Sequence, residues 1–140
     1  MKILLAVDGS DYTRKMLDYV VNNRALFDPS HEYVLLNTQP PLPPHARSML
    51  DAGTVHTYHQ DEAKKVLEPA LAALQAQGLK AASEWKVGHA GETIGAVAQS
   101  GHFDMVIMGS HGHRALARLV MGSVASEVLA HCGVPVLLIR

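Results

Sequence analysis

Two segments of the sequence combine glycine with polar side chains in patterns that suit a ligand site. The first is Asp8-Gly9-Ser10, and the second is the run GSHGHR from Gly109 to Arg114, with Gly122-Ser123 further along the chain. Glycine allows the backbone to approach a ligand closely. The first N–H groups of a helix have no intrahelical partners and favour an anion. These features predict a site for an elongated ligand that carries phosphate groups.

The spacing of the glycines differs from the two common phosphate-binding fingerprints. Neither G-x-x-x-x-G-K-[ST] nor a properly placed G-x-G-x-x-G is present. The pattern is instead Gly109-x2-Gly112-x9-Gly122-Ser123. If a helix begins here, the N–H groups of Gly122, Ser123 and Val124 and the Ser123 hydroxyl can donate hydrogen bonds to phosphate oxygens. Three side chains are candidate neighbours of those phosphates: His113, Arg114 and Arg118.

Each of these residues also has an ordinary structural explanation. Asp8 can cap the turn after a strand, and glycines commonly punctuate loops. Ser123 can be only a helix N-cap, although capping and phosphate binding use the same helix start and are compatible. We favour ligand contact for Asp8 because ligands of open parallel sheets bind beyond the carboxyl ends of the strands.

Nine histidines raise the question of a metal site. His56-x-x-His59 and His111-x-His113 are the close pairs, and no cysteine or acidic cluster completes a tetrahedral set. The lone Cys132 has no neighbouring group in the sequence that would activate a thiol, so it is expected to be a small core residue. The glycine-rich segment also contains no lysine and no pair of acidic residues. We therefore predict neither a metal ligand nor a catalytic residue.

The elements that must position these residues follow from the apolar pattern. Short apolar runs predict strands at Ile3–Val7, Tyr33–Leu36, Met105–Met108 and Val134–Ile139. The alternation of apolar and polar residues over Leu79–Val87 predicts a further strand at a sheet edge, with one face exposed to solvent. Amphipathic stretches between them predict a helix from Ser10 to about Phe27, one around Ala63–Leu74, one at Gly91–Ser100 and one at Ser123–Cys132. This alternation predicts an α/β domain with a parallel sheet and helices on both faces.

Prolines interrupt the pattern at two places. Four of the seven prolines fall between Gln39 and Pro44, so residues 39–55 are expected to form a long surface loop. Pro69 lies inside the second helical pattern and predicts a kink or an interruption there.

Length and composition limit the class of protein. A chain of 140 residues with 48% hydrophobic and 18% charged residues is expected to form one globular domain over residues 1–140. The net charge of −1 gives no general attraction to nucleic acid or to acidic membranes. The apolar run Ile3–Val7 is too short for a signal peptide, and no stretch approaches the length of a membrane span. We expect a cytoplasmic protein.

Several of these segments together resemble the universal stress protein family over essentially the whole chain. The similar segments are Ile3 to Ser10, Val87-Gly88, Met105 to Gly112, Gly122 to Val124 and Val134 to Leu137. The glycine spacing is similar to that of the ATP-binding members. The resemblance implies a doubly wound sheet of order 3-2-1-4-5 that binds ATP across the ends of strands 1 and 4.

The resemblance also implies roles for individual residues. Asp8 and the backbone at Ala6 and Thr38 would contact adenine or ribose. The ribose and phosphates would be lined by Met108, Gly109, Gly112, Gly122, Ser123 and Val124. Ala125 stands where ATP-binding relatives often carry a hydroxyl residue, so one phosphate contact is either missing or shifted to Ser126. ATP, with or without Mg²⁺, is therefore the first expected ligand, and AMP or ADP are alternatives.

The resemblance leads to expectations about function and partners. The first hypothesis is that the protein is an ATP-binding sensor or regulator. A slow ATPase and a nucleotide-independent protein-interaction module are the alternatives. In the implied sheet order the last strand is an edge, and Val134 to Ile139 is apolar apart from its proline. Because an exposed apolar edge promotes association, we expect a homodimer through this strand.

Overall fold

The computed structural model describes residues 1–113, 118 and 120–140. The strands are β1 (Lys2–Ala6), β2 (Glu32–Gln39), β3 (Lys80–Val87), β4 (Met105–Gly109) and β5 (Val136–Ile139). The helices are α1 (Asp11–Asn22), α2 (Pro44–Ser48), α3 (Ala52–Ala76), α4 (Ala90–Ser100) and α5 (Ser123–His131). Within the described residues, no helix combines the length and apolar character that crossing a membrane requires.

The strands form one parallel sheet in the order β3-β2-β1-β4-β5. β1 lies at its centre, where Ile3 pairs with Tyr33 of β2 on one side and with Met105 of β4 on the other. The predicted α/β class and strand order are thus confirmed. The carboxyl ends of β1 and β4 are adjacent, and the order of the strands reverses there, so this is where a ligand crevice is expected.

Helices cover both faces of the sheet because the side chains of β1 alternate between two apolar clusters. Ile3 and Leu5 pack in the cluster that includes α1 and α3, whereas Leu4 packs in the cluster that includes α4 and α5. All three residues are fully buried. The continuous apolar run of β1 is therefore explained by burial on both faces.

The first helix ends earlier than the sequence indicated. α1 stops at Asn22, and the amide group of Asn23 donates a hydrogen bond to the carbonyl of Tyr19 (2.8 Å). The chain then turns and brings Phe27 back into the core, where it is 2% exposed. Phe27 is thus a core residue, as its apolar character suggested, but it lies outside the helix. The side-chain amide ended the helix before Asp28-Pro29 was reached.

The prediction of a long loop over residues 39–55 was wrong for most of that segment. β2 includes Gln39, α2 occupies Pro44–Ser48 and α3 already begins at Ala52. Pro44 is the first residue of α2, a position where proline loses no helical hydrogen bond. Asp51 caps α3 by accepting a hydrogen bond from the Thr54 amide (2.7 Å). Pro40 and Pro41 thus follow the end of β2, whereas Pro44 begins α2.

Pro69 does not interrupt the second long helix. α3 continues through it to Ala76, and Pro69 itself is exposed. The chain then reverses at Gly78, whose φ of +76° is readily adopted by glycine. Buried residues on both sides of the proline, including Leu67 and Leu74, hold the helix against the sheet. Tertiary packing therefore overrides the local preference of proline.

Candidate functional site

A cavity of about 300 Å³ lies at the carboxyl ends of β1, β2 and β4, between the first residues of α4 and α5. We refer to it as the strand-end cavity. All nine residues predicted as ligand contacts line it: Ala6, Asp8, Thr38, Met108, Gly109, Gly112, Gly122, Ser123 and Val124. The structure therefore brings the predicted residues together, whereas their contact with a ligand stays a prediction.

One part of the cavity is apolar. Leu36 of β2, Ile94 of α4 and Met108 of β4 line it and are at most 5% exposed. Ala6 and Ala90 add two small side chains to the lining. An apolar wall with few polar groups is typical of pockets that hold a flat organic ring.

Another part of the cavity lining is formed by the start of α5. Gly122 is the N-cap residue of α5 and provides no side-chain hydrogen bond. The first hydrogen bond of the helix is donated by the Ser126 amide to the Gly122 carbonyl (3.1 Å). The N–H groups of Ser123, Val124 and Ala125 therefore have no acceptor among the described residues. They provide donors and a favourable helix dipole for an anion. The expectation that the Gly122 N–H is also free was wrong, because it donates to the Ser110 carbonyl (2.7 Å).

The position of the hydroxyl groups at this helix start corrects one expectation. The Ser126 hydroxyl donates to the Gly122 carbonyl (3.0 Å) and does not line the cavity, so it does not replace a hydroxyl at position 125. Ala125 lines the cavity and is 2% exposed. The Ser123 hydroxyl is thus the one side-chain donor that the described part of α5 offers to this cavity.

Asp8 is held in a compact turn directly after β1. Its Oδ1 atom accepts hydrogen bonds from the Ser10 amide (2.9 Å) and from the Thr13 hydroxyl (2.9 Å). Its backbone carbonyl accepts a hydrogen bond from Nε2 of His113 (2.7 Å), so that nitrogen carries a proton. Gly9 adopts a φ of +79°, which allows the tight turn between Asp8 and α1.

The three glycines of the motif lie where a Cβ atom would make close contacts within the protein. A Cβ atom on Gly109 would lie 2.6 Å from Cβ of Tyr12 on α1. One on Gly122 would lie 3.2 Å from Cα of His111, and one on Gly112 would lie 2.7 Å from Oδ2 of Asp8. These close contacts explain why glycine stands at positions 109, 112 and 122. The backbone at the same three positions lines the cavity.

The candidate cationic side chains have different positions. His113 lines the cavity, Arg118 is exposed and is absent from the lining, and Arg114 lies outside the described residues. His111 also lines the cavity, where its Nδ1 lies 2.9 Å from the Ser110 hydroxyl and its ring packs against Tyr12. In residues 1–113, 118 and 120–140, no group of three His, Cys, Asp or Glu side chains is arranged to hold a metal ion.

Sequence reasoning missed several residues of the cavity. They are Val7, Thr13, Leu36, Ala90 and Ile94. Thr13 had a local signal, because a hydroxyl residue in the first turn of a helix that follows an aspartate can bond to that turn. The apolar residues had none, since their presence in the lining depends on how distant elements pack.

The comparison with known families decides which group of proteins this chain belongs to. The profile of the universal stress protein family matches residues 1–140. The chain belongs to the universal stress protein family. A universal stress protein of Synechocystis, Slr1230, is 34% identical over 99% of the chain. The chain spans 42% of the length of that relative.

Solved structures of universal stress proteins share the fold. The structure of MJ0577, a protein of Methanocaldococcus jannaschii, superposes with a TM-score of 0.82 at 27% identity and covers 99% of this chain and 94% of that one. Three others have bound nucleotides: AMP in an Arabidopsis thaliana protein, dAMP in one from Archaeoglobus fulgidus, and cAMP in a third. Their TM-scores are 0.70, 0.70 and 0.71 at 15%, 20% and 19% identity.

Proposed function

We propose that this universal stress protein binds an adenine nucleotide in the strand-end cavity and acts as a nucleotide-dependent regulator in the cytoplasm. ATP, alone or with Mg²⁺, is the first candidate ligand, and ADP and AMP are the alternatives. The observation that carries the proposal is that free amides of α5 and an apolar wall line one and the same cavity. A phosphate group and a flat base need these two environments within one ligand length.

The order of the strands supports one proposed orientation of the ligand. Leu36 and Thr38 belong to β2, Asp8 follows β1, and Met108 and Gly109 end β4, next to the loop that leads to α5. Crossing the sheet from β2 to β4 therefore leads from Leu36 and Thr38, past the Asp8 carboxylate, to the segment that precedes α5. The base would lie over β2, the sugar beside Asp8 and the phosphates at α5.

Nucleotide-bound relatives support this proposal at the level of the fold. Structures with the same fold hold AMP, dAMP or cAMP. A Mg²⁺ ion would have to be carried mainly by the phosphates and by water, because Asp8 is the only acidic side chain in the described lining.

Titration of the purified chain with ATP, with and without Mg²⁺, and with ADP, AMP and CTP tests the proposal. Adenine nucleotides are expected to bind and to stabilise the fold, by about 2.7 kcal/mol at 100 times the dissociation constant. CTP serves as the control for the base. If calorimetry shows no heat and thermal unfolding no shift with any adenine nucleotide, the proposal is wrong.

A pair of proline variants tests the role of the helix start. Gly122 and Asp51 precede α5 and α3 with nearly the same backbone angles, φ −74° and ψ 166° against φ −75° and ψ 163°. Ser123→Pro removes one amide and one hydroxyl from the cavity at a helix position that tolerates proline, and we expect affinity to fall about tenfold or more. Ala52→Pro likewise introduces proline and removes an amide at the first position of α3, away from the cavity, and should leave affinity unchanged.

Two further measurements distinguish a nucleotide-dependent regulator from an enzyme that hydrolyses ATP. The described lining contains no lysine and no pair of carboxylates, so turnover is expected to be slow if phosphate is released at all. Phosphate release from the titrated samples measures this directly. A regulator should instead change its assembly or its exposed loops between the free and bound states, which sedimentation velocity and hydrogen exchange detect.

We further propose that the chain forms a homodimer through β5. This strand is an edge of the sheet, and each of its residues, Val136 to Ile139, is only half-buried. Apolar side chains on an unpaired edge favour association with a second copy.

A further inference from the structure

Thr13 lines the strand-end cavity, yet its hydroxyl is fully used by the protein. Oγ1 accepts hydrogen bonds from the amides of Asp8 (3.0 Å) and Gly9 (3.2 Å) and donates one to Oδ1 of Asp8 (2.9 Å). A hydroxyl has one proton and two lone pairs. The side chain, which is 7% exposed, therefore has no capacity left for a ligand.

The consequence of this arrangement lies in the carboxylate of Asp8. Oδ1 is occupied by Thr13 and by the Ser10 amide, whereas Oδ2 has no hydrogen-bond partner among the described residues. Oδ2 instead lies beside Gly112, 2.7 Å from the position that a Cβ atom on residue 112 would take. The carboxylate is thus fixed through Oδ1, while Oδ2 is unpaired within the described residues and lies between Asp8 and Gly112, which both line the cavity.

We infer that Thr13 is a positioning residue that sets the preference of the site for a ribose with free hydroxyl groups. The inference rests on the proposed function, in which the sugar lies beside Asp8. An ionised carboxylate only accepts hydrogen bonds, and the hydroxyls are the donors that a sugar offers. An Oδ2 atom held in one position discriminates between a hydroxyl and a hydrogen on the sugar better than a mobile Oδ2 atom does. A mobile carboxylate would first have to be ordered on binding, which costs free energy.

Thr13→Val tests the inference, because it keeps the shape of the side chain and removes the hydroxyl. The measured quantity is the ratio of dissociation constants for 2′-deoxy-ATP and ATP, and for 3′-deoxy-ATP and ATP. We expect the wild type to favour ATP over at least one of these analogues by about tenfold, the usual range for a hydrogen bond to a charged group. Thr13→Val should reduce that ratio to about one to three, and Thr13→Ser should restore it.

A structural role alone would give a different result. If Thr13 only supported the fold, Thr13→Val would weaken ATP and both deoxy analogues equally and leave the ratios unchanged, which would overturn the inference. Wild-type ratios near one would overturn it as well. Thr57→Val, the same change at an exposed position of α3, is the control and should alter neither affinity nor ratio.

Gly112→Ala provides a second route that leaves Thr13 intact, in case Thr13→Val does not fold. The new Cβ atom would displace Oδ2 of Asp8, so the same loss of ratio is expected. Gly133→Ala is its control, because a Cβ there would meet only ordinary contact distances (3.8 Å). If the wild type binds no adenine nucleotide, the proposed function fails and the inference with it; if it binds ATP and Gly112→Ala keeps the wild-type ratio, the inference alone fails.

Discussion

At the scale of single residues, the candidate site depends on groups whose hydrogen-bonding capacity is divided between the fold and the cavity. Asp8 uses Oδ1 in the turn, while Oδ2 has no hydrogen-bond partner among the described residues. Gly122 gives its amide to the Ser110 carbonyl (2.7 Å), while the next three amides stay free. The same residues thus build the turn or loop and leave specific donors and acceptors for a ligand.

The glycine at position 109 provides a prediction at this scale. Gly109→Ala places a methyl group 2.6 Å from Cβ of Tyr12 and 3.1 Å from the backbone oxygen of His111, so α1 or the loop must move. We expect a loss of about 1–3 kcal/mol in the free energy of unfolding without any ligand, measured by urea denaturation. Gly133→Ala should stay within about 0.5 kcal/mol. Equal stability of the two variants would contradict the packing role of Gly109.

At the scale of elements, α3 shows how packing and local preference compete. The helix contains Pro69, which lacks an amide proton and removes one hydrogen bond from the helix. Its buried side chains, from His59 to Leu74, outweigh that loss. In α1 a local interaction decides instead: the side-chain amide of Asn23 donates a hydrogen bond to the Tyr19 carbonyl and ends the helix.

Replacing Pro69 should therefore stabilise the protein. Pro69 is exposed, so Pro69→Ala loses no core contact and restores an amide to the helix. We expect the free energy of unfolding to rise by about 1–3 kcal/mol, as a higher midpoint in urea. Glu68→Ala, on the same exposed part of the helix, is the control and should change little. A lower urea midpoint for Pro69→Ala would contradict this prediction and would show that Pro69 stabilises α3.

The cap of α3 gives a prediction about pH. The hydrogen bond from the Thr54 amide lowers the pKa of Asp51 below its ordinary value of 3.8. Its charge therefore stabilises the fold above about pH 3.8, and this contribution is lost as pH falls through the lowered pKa. Asn caps a helix as well as Asp does, so Asp51→Asn should lower the melting temperature slightly at pH 7 and not at about pH 2.

The control for that experiment is Asp61→Asn, in the interior of the same helix, where the backbone amides are already paired. Like Asp51→Asn, Asp61→Asn removes one carboxylate, but it leaves the charged cap of the helix in place. An Asp51→Asn variant with the same melting temperature as the wild type at both pH values would contradict the role of the charge.

At the scale of the whole molecule, the two edges of the sheet differ. β3 is mostly exposed and carries charged residues such as Glu84 and Lys86 among its apolar ones, whereas β5 is short and apolar. Charged side chains on an edge oppose pairing with another sheet. Association is therefore expected at β5 and not at β3.

The proposed dimer predicts a specific effect of charge at β5. Leu138→Lys places a charge on this half-buried edge and should convert a dimer into a monomer in sedimentation equilibrium at micromolar concentration. Leu129→Lys, at a position of α5 that is 46% exposed, should leave the dimer intact. A wild-type chain that sediments as a monomer at this concentration would contradict the proposal.

The sequence by itself determined the parallel α/β architecture and the residues that gather at one edge of the sheet. Apolar runs buried on two faces make strands, and the carboxyl ends of parallel strands lie on the same side. Residues 8, 109 and 112 could therefore be assigned to one place without coordinates. The order of the strands came from the resemblance, because periodicity does not specify which strands are neighbours.

The tertiary structure alone decided what those residues contact. A Cβ atom on Gly109 would meet Tyr12, and one on Gly112 would meet Oδ2 of Asp8, in each case a contact between residues that are about a hundred positions apart in sequence. The direction of the Ser126 hydroxyl and the apolar wall of the cavity likewise depend on how helices pack on the sheet. Such contacts are set by packing at distances of a few ångströms, which a pattern of residue types does not encode.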